Sequence, residues 1–101
     1  MKLRDLAHAR AGDKGEISNI AVIVHDPADF DRVAAWLTAE RVKEHFGAMV
    51  SGPVQRYALP HLGALNFVMQ GALGGGVTRS LSLDAHGKSL SSSLLELEFP
   101  A

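Results

Sequence analysis

Arginine, lysine, aspartate and asparagine crowd into the eleven residues from Ala9 to Asn19 (A-R-A-G-D-K-G-E-I-S-N), between two apolar stretches. A tight turn there needs only Asp13, which hydrogen-bonds nearby backbone, and Gly15, which accepts positive φ. Arg10, Lys14 and Asn19 are surplus to that need. Gathered at one hairpin end, Arg10 offers a fork of donors, Lys14 a point cation, Asp13 an acceptor and Asn19 an amide. Such a set suits a carboxylate or phosphate held by charge-assisted hydrogen bonds. The competing reading is structural: Asp13 fixes the turn and pairs with Lys14 or Arg10, while Asn19 satisfies backbone.

Three further places invite attention. Arg79 shares the alternation of Val77, Leu81 and Leu83, so a regular strand aims its guanidinium at the apolar side, where a charge needs a partner. Asp13, Glu16, another chain or an acidic ligand would serve. Asn66 interrupts the apolar run Leu65-Asn66-Phe67-Val68-Met69, where it ties elements together or touches a ligand. The triplet Gly74-Gly75-Gly76 is read either as a helix end and flexible link, or as close backbone approach to a ligand or to the Gly12–Gly15 loop. It lacks the spacing of a phosphate-binding loop and precedes a strand rather than a helix.

No complete catalytic constellation is present. Asp13 or His8 could supply a general acid or base, and no catalytic residue is assigned. The five histidines, at positions 8, 25, 45, 61 and 86, show no paired ligand spacing, so neither metal nor cofactor is assigned. The serines form no Gly-x-Ser-x-Gly elbow.

Hydrophobic periodicity supplies the elements that must position these groups. Leu3–Arg10 reads as a strand ending at the Gly12–Gly15 loop, and Ile17–His25 as a second strand of the same hairpin. The centre of the second, Ile20-Ala21-Val22-Ile23-Val24, is apolar on both alternating faces, as an inner strand covered on both sides should be. Asp26-Pro27-Ala28-Asp29 starts a helix, with Asp26 as cap. Thr38 starts another. Pro53 makes the stretch Val50–Leu59 an edge strand or a bulge. From Pro60 the spacing of Leu62, Leu65, Met69, Ala72 and Leu73 predicts a helix. Val77–Leu83 and Leu95–Phe99 then form a closing hairpin, turned at Asp84-Ala85-His86-Gly87.

The expected order is β-β-α-β-α-β-β, an α+β two-layer sandwich with a mixed or antiparallel sheet and helices on one face. It matches the ferredoxin-like alternation loosely. The two-sided apolar strand favours another subunit on the opposite face, hence an oligomer.

At 101 residues and 10.8 kDa the chain is one domain, residues 1–101, and a domain of this size hides roughly two thirds of its unfolded surface. Ten basic against eleven acidic side chains leave a formal charge of −1, which gives no field for a nucleic-acid backbone. The absence of cysteine fits a reducing compartment. Charges interrupt the N-terminus and apolar runs stay short, so neither a signal peptide nor a membrane span is expected, and the cytoplasm is the default.

The segments Leu6–Gly15 (L-A-H-A-R-A-G-D-K-G), Leu37–Lys43 (L-T-A-E-R-V-K), and Leu65-Asn66-Phe67 through Gly71–Gly76 together resemble the C-terminal domain of the AtuA-type acyclic terpene utilisation proteins. That domain also occurs as a separate small protein. The resemblance covers nearly the whole chain, with Glu16 standing where the pattern commonly has asparagine. It implies a ferredoxin-like α+β fold and a setting in acyl-CoA or terpenoid breakdown beside a larger AtuA-type domain. Arg10, Asp13, Lys14, Asn19, Asn66, Gly74, Gly75 and Arg79 are then the expected binding residues. The expected role is an accessory subunit whose Gly-Asp-Lys-Gly hairpin binds an anion, acyl-CoA among the candidates. The alternative is a self-sufficient small enzyme or binding module for an acidic metabolite, acting as a homo-oligomer.

Overall fold

A computed structural model describes residues 1–14, 17–47, 50–70 and 87–100, and for Asp13, Lys14 and residues 87–90 the description stops at the backbone. Four strands form one sheet in the order β1-β2-β4-β3, with every pairing antiparallel. β1 (Ala7–Lys14) and β2 (Ile17–Val24) make the expected hairpin, in register from Ala7 opposite Val24 to Lys14 opposite Ile17. β2 and β4 (Ala64–Gln70) are the inner strands. β1 and β3 (Val54–Leu59) are the edges among the described residues. Pro53 stands immediately before β3, where a missing ladder donor costs nothing.

The start of the chain differs from the expected strand. Leu3–Asp5 is a single 3-10 turn, closed where the Lys2 amide donates to the Asp5 carboxylate at 2.9 Å, and β1 begins only at Ala7. It also runs on through Gly12 to Lys14, so the first three residues of the expected Gly12–Gly15 loop belong to the strand.

The helix starts fall where the capping residues place them. Asp26 accepts from the Ala28 amide at 3.0 Å and opens a 3-10 turn over Pro27–Asp29 that leads into α1 (Phe30–Trp36). Thr38 accepts from the Arg41 amide at 3.1 Å and starts α2 (Ala39–Phe46). Phe30, Val33, Leu37, Val42 and Phe46 are buried, at the spacing of helical faces turned to the core.

The expected helix after Pro60 is absent. A 3-10 turn at Pro60–Leu62 is cut short by Gly63, whose φ of 61° is left-handed, and the chain returns as β4. The Gly63 carbonyl accepts from the Val24 amide at 2.9 Å, which ties the turn to the end of β2. Leu65, Phe67 and Met69 are buried in strict alternation, so the period is two rather than 3.6.

The expected returning strand from Leu95 is also corrected. Gly87–Leu95 is a helix, α3, that packs against β1 with Ser91 and Leu94 buried. Only beyond it does the chain extend, the Leu3 amide donating to the Leu97 carbonyl and the Phe99 amide to that of Met1. Helix and strand therefore alternate as β-β-α-α-β-β-α over the described residues. The expected strand Val77–Leu83 and the turn residues Asp84, Ala85 and His86 lie outside them, while Gly87 opens α3.

Helices and sheet share one core, in which Ile20, Val22, Leu65, Phe67 and Met69 meet Phe30, Val33, Val42, Phe46, Leu94 and Phe99. This is the α+β two-layer arrangement, with the described helices on one face. Arg56 belongs to the same side of β3 and donates to the carbonyls of Ala34 and Leu37, placing a cation on the negative end of α1. Lys43 does similar work below α2, donating to the Val50 and Gly52 carbonyls. Gly52 in turn lies so near β4 that a Cβ there would sit 2.6 Å from the Gln70 carbonyl oxygen.

Candidate functional site

Alternation divides each strand between two environments. In β2, Ser18, Ile20, Val22 and Val24 are buried toward the helices, while Ile17 is exposed and Asn19, Ala21 and Ile23 are half-buried on the other side. Register then fixes what stands beside them. One row across the open face reads Arg10, Ala21, Asn66, Tyr57, and the next reads Gly12, Asn19, Val68, Gln55.

Three of the residues singled out in the sequence therefore share this face. Asn19 Nδ2 donates to Asn66 Oδ1 at 3.3 Å, joining the inner strands by their side chains. Gly12 faces Asn19, and a Cβ on it would come within 3.0 Å of the Asn19 Oδ1. Lacking that carbon, β1 leaves room for the amide to lie over it. Arg10 is exposed, with no hydrogen bond or ion pair among the described residues. Ala21, between Arg10 and Asn66 in the row, keeps the centre of the face shallow.

Asp13 and Lys14 are register partners of Ser18 and Ile17 at the hairpin end. Gly74, Gly75 and Arg79 lie outside the described residues, as does any meeting of the glycine triplet with the first hairpin. Asn66 is placed on a strand rather than the expected helix, and that change is what brings it to Asn19.

Sequence reasoning missed Tyr57 as a contributor and named His8 without its neighbour His25. Tyr57 is half exposed at the end of the Arg10 row, its hydroxyl donating to Gln55 Oε1 at 3.0 Å. The signal was available in the alternation of Gln55, Tyr57 and Leu59 against Val54, Arg56 and Ala58. His8 and His25 stack at the opposite end of the face with ring centroids 5.6 Å apart. Their neighbourhood follows from register, because His8 pairs with Ile23 and His25 continues the same side two residues on.

The electrostatics of the face are one-sided. Its described strand positions carry Arg10 and His8 but no carboxylate. Among the described residues no three histidine, aspartate or glutamate side chains come close enough to hold a metal ion. The arrangement can orient an anion and form neutral hydrogen bonds beside it. Away from this face, a concavity lined by Arg32, Ala35, Trp36, Phe99 and Pro100 is an aromatic groove whose cation is already paired with Asp29 at 3.0 Å. No helix among the described residues is long and apolar enough to cross a membrane.

Neither the curated proteins nor the solved structures contain a significant match to this chain. The family comparison does: the model of the AtuA ferredoxin-like domain matches residues 1–100. With its antiparallel sheet backed by helices on one side, the chain belongs to the AtuA ferredoxin-like domain family.

Proposed function

We propose that this domain is an accessory unit that pairs with a larger AtuA-type protein in acyl-CoA or terpenoid catabolism. Its open sheet face forms one wall of a shared site, at the end of which β1 carries Gly12, Asp13 and Lys14. The observation that carries this reading is the unevenness of the sheet: one face is a closed apolar core, the other holds the Asn19 and Asn66 amides with Arg10, which has no hydrogen bond or ion pair among the described residues. A wall of this kind binds and orients; it carries no nucleophile with its base.

Exposed Ile17 and Tyr57 flank the polar centre, giving apolar anchors around a hydrogen-bonding middle. Co-expression with a larger AtuA-type protein, followed by size-exclusion chromatography with light scattering, tests the pairing. The expected result is a stoichiometric complex that Tyr57→Glu dissociates. Separate elution of the two wild-type proteins overturns it. A homodimer of the isolated chain split by Tyr57→Glu would instead favour a self-sufficient binding module.

A further inference from the structure

Three residues poorly suited to β-strands occupy adjoining positions on the open face: Gly12 in β1, Asn19 in β2 and Asn66 in β4. Glycine weakens a strand interior and asparagine is depleted from strands. Two of the three lie on the inner strands, where β-branched residues would pair best. Violations of local preference gathered at one spot, without a fold-level gain, mark places kept for another purpose. On the opposite side of the two inner strands the buried positions are apolar apart from Ser18, with Ile20, Val22, Leu65 and Phe67 among them.

The hydrogen-bond arithmetic of the pair defines that purpose. Each carboxamide has one carbonyl and one NH2 group, and a single bond joins Asn19 Nδ2 to Asn66 Oδ1. The Asn19 carbonyl, which lies against Gly12 on the β1 side, and the Asn66 NH2 on the β4 side take no part in that bond, one acceptor and one donor. Reversing both amides leaves the same complement. A secondary amide presents the matching donor and acceptor, whereas a bare carboxylate or phosphate presents acceptors only.

Arg10 supplies the other half of the specificity. It stands opposite Ala21 and so diagonal to Asn19, roughly 7–8 Å away between Cα atoms. A negative group a few bonds from the amide would meet its guanidinium. We infer that the Asn19 and Asn66 amides, with Gly12 leaving them room, read a secondary amide in a small anionic ligand whose charged end is held by Arg10. The inference rests on the open face being the ligand side and names the ligand class for it. Two sources share this chemistry: an N-acyl amino acid, with a carboxylate, and a phosphopantetheine unit, with a phosphate.

Isothermal titration on the isolated chain and on the co-purified complex tests it, with hippurate and 4′-phosphopantetheine as the two probes. Pantetheine, acetate and inorganic phosphate serve as controls lacking the charge or the amide. At least one probe is expected to bind, about tenfold or more tighter than any control. Asn66→Val is expected to remove that tenfold advantage while leaving the melting midpoint unchanged or raised, since valine suits a strand. Gly12→Ala, which presses on Asn19 from β1, is expected to weaken the same probe, and Arg10→Gln to abolish discrimination against pantetheine. No probe binding in either preparation overturns the inference, as does equal binding of the amide-free anions. A fall in the melting midpoint of Asn66→Val also overturns it, because the pair is then structural. A complex that forms without amide-selective binding sinks this inference alone, and amide-selective binding without a complex sinks only the pairing.

Discussion

The two faces of this sheet are cut from the same strands and yet obey different rules. Toward the helices, Phe67, Ile20 and Met69 are fully buried and packed into a continuous core. Away from them, residues one position along the same strands are Asn66, Asn19 and Val68. Stability resides on the first face. The second can carry asparagines, a glycine and an exposed arginine because the first has already held the strands in register.

The sharpest way to break this contrast is to exchange the character of neighbouring positions. Phe67→Ala should lower the urea-unfolding free energy by about 3–5 kcal/mol, the range for a buried aromatic replaced by alanine. A loss below about 1 kcal/mol would deny the helix-side face its stabilising role. Gly52→Ala comes next, because its new carbon meets the Gln70 carbonyl rather than a movable side chain. We expect about 1–3 kcal/mol of destabilisation by the same measurement. Thr38→Ala, which removes the cap of α2, should cost about 1 kcal/mol.

Asn66→Val belongs at the low end: within about 0.5 kcal/mol of the parent or more stable. Differential scanning calorimetry of Asn66→Val beside Phe67→Ala sets the two faces against one another at adjacent residues. The smallest effect concerns pH. The Lys2 ammonium, hydrogen-bonded to Glu96 at 3.0 Å, holds that carboxyl below the usual carboxylate range, with Arg4 adding to it. A carboxyl depressed in the folded state contributes stability above its unfolded value and loses it as pH falls through the folded one. Glu96→Gln should therefore lower stability slightly at neutral pH and leave strongly acid pH unchanged, which flattens the acid limb by the small amount expected of an exposed ion pair.

Capping chemistry was legible in the chain because it is local. Asp26, Pro27 and Thr38 act within three residues of themselves, and their helices start where those residues sit. The first hairpin was equally readable, its inner strand announced by the β-branched run of β2. Leu65-Asn66-Phe67-Val68-Met69 was not. A run this short satisfies both periods, since Leu65 and Met69 are four apart as well as an even number apart. What decides is Gly63, whose left-handed backbone ends the turn after three residues, and the partner strands on either side of β4. Neither is visible from within the run.

The same error hid half of the candidate site. Placed on a helix, Asn66 has no reason to meet Asn19; placed opposite Ala21, it becomes its neighbour. The C-terminal alternation of Leu95, Leu97 and Phe99 misled in the opposite direction, because Ser91 and Leu94 form the buried helical spacing and only the residues beyond them extend. Arg56 was overlooked for a different reason. A guanidinium in phase with Val54 and Ala58 looks misplaced until the carbonyls at the end of α1 are known to be waiting for it.

Met1–Leu3 and Leu97–Phe99 lie hydrogen-bonded side by side, joined by an isolated bridge between Lys2 and Glu98. Residues more than ninety positions apart in sequence consequently brace one another, so that loosening the segment after α3 would also release the turn that leads into β1.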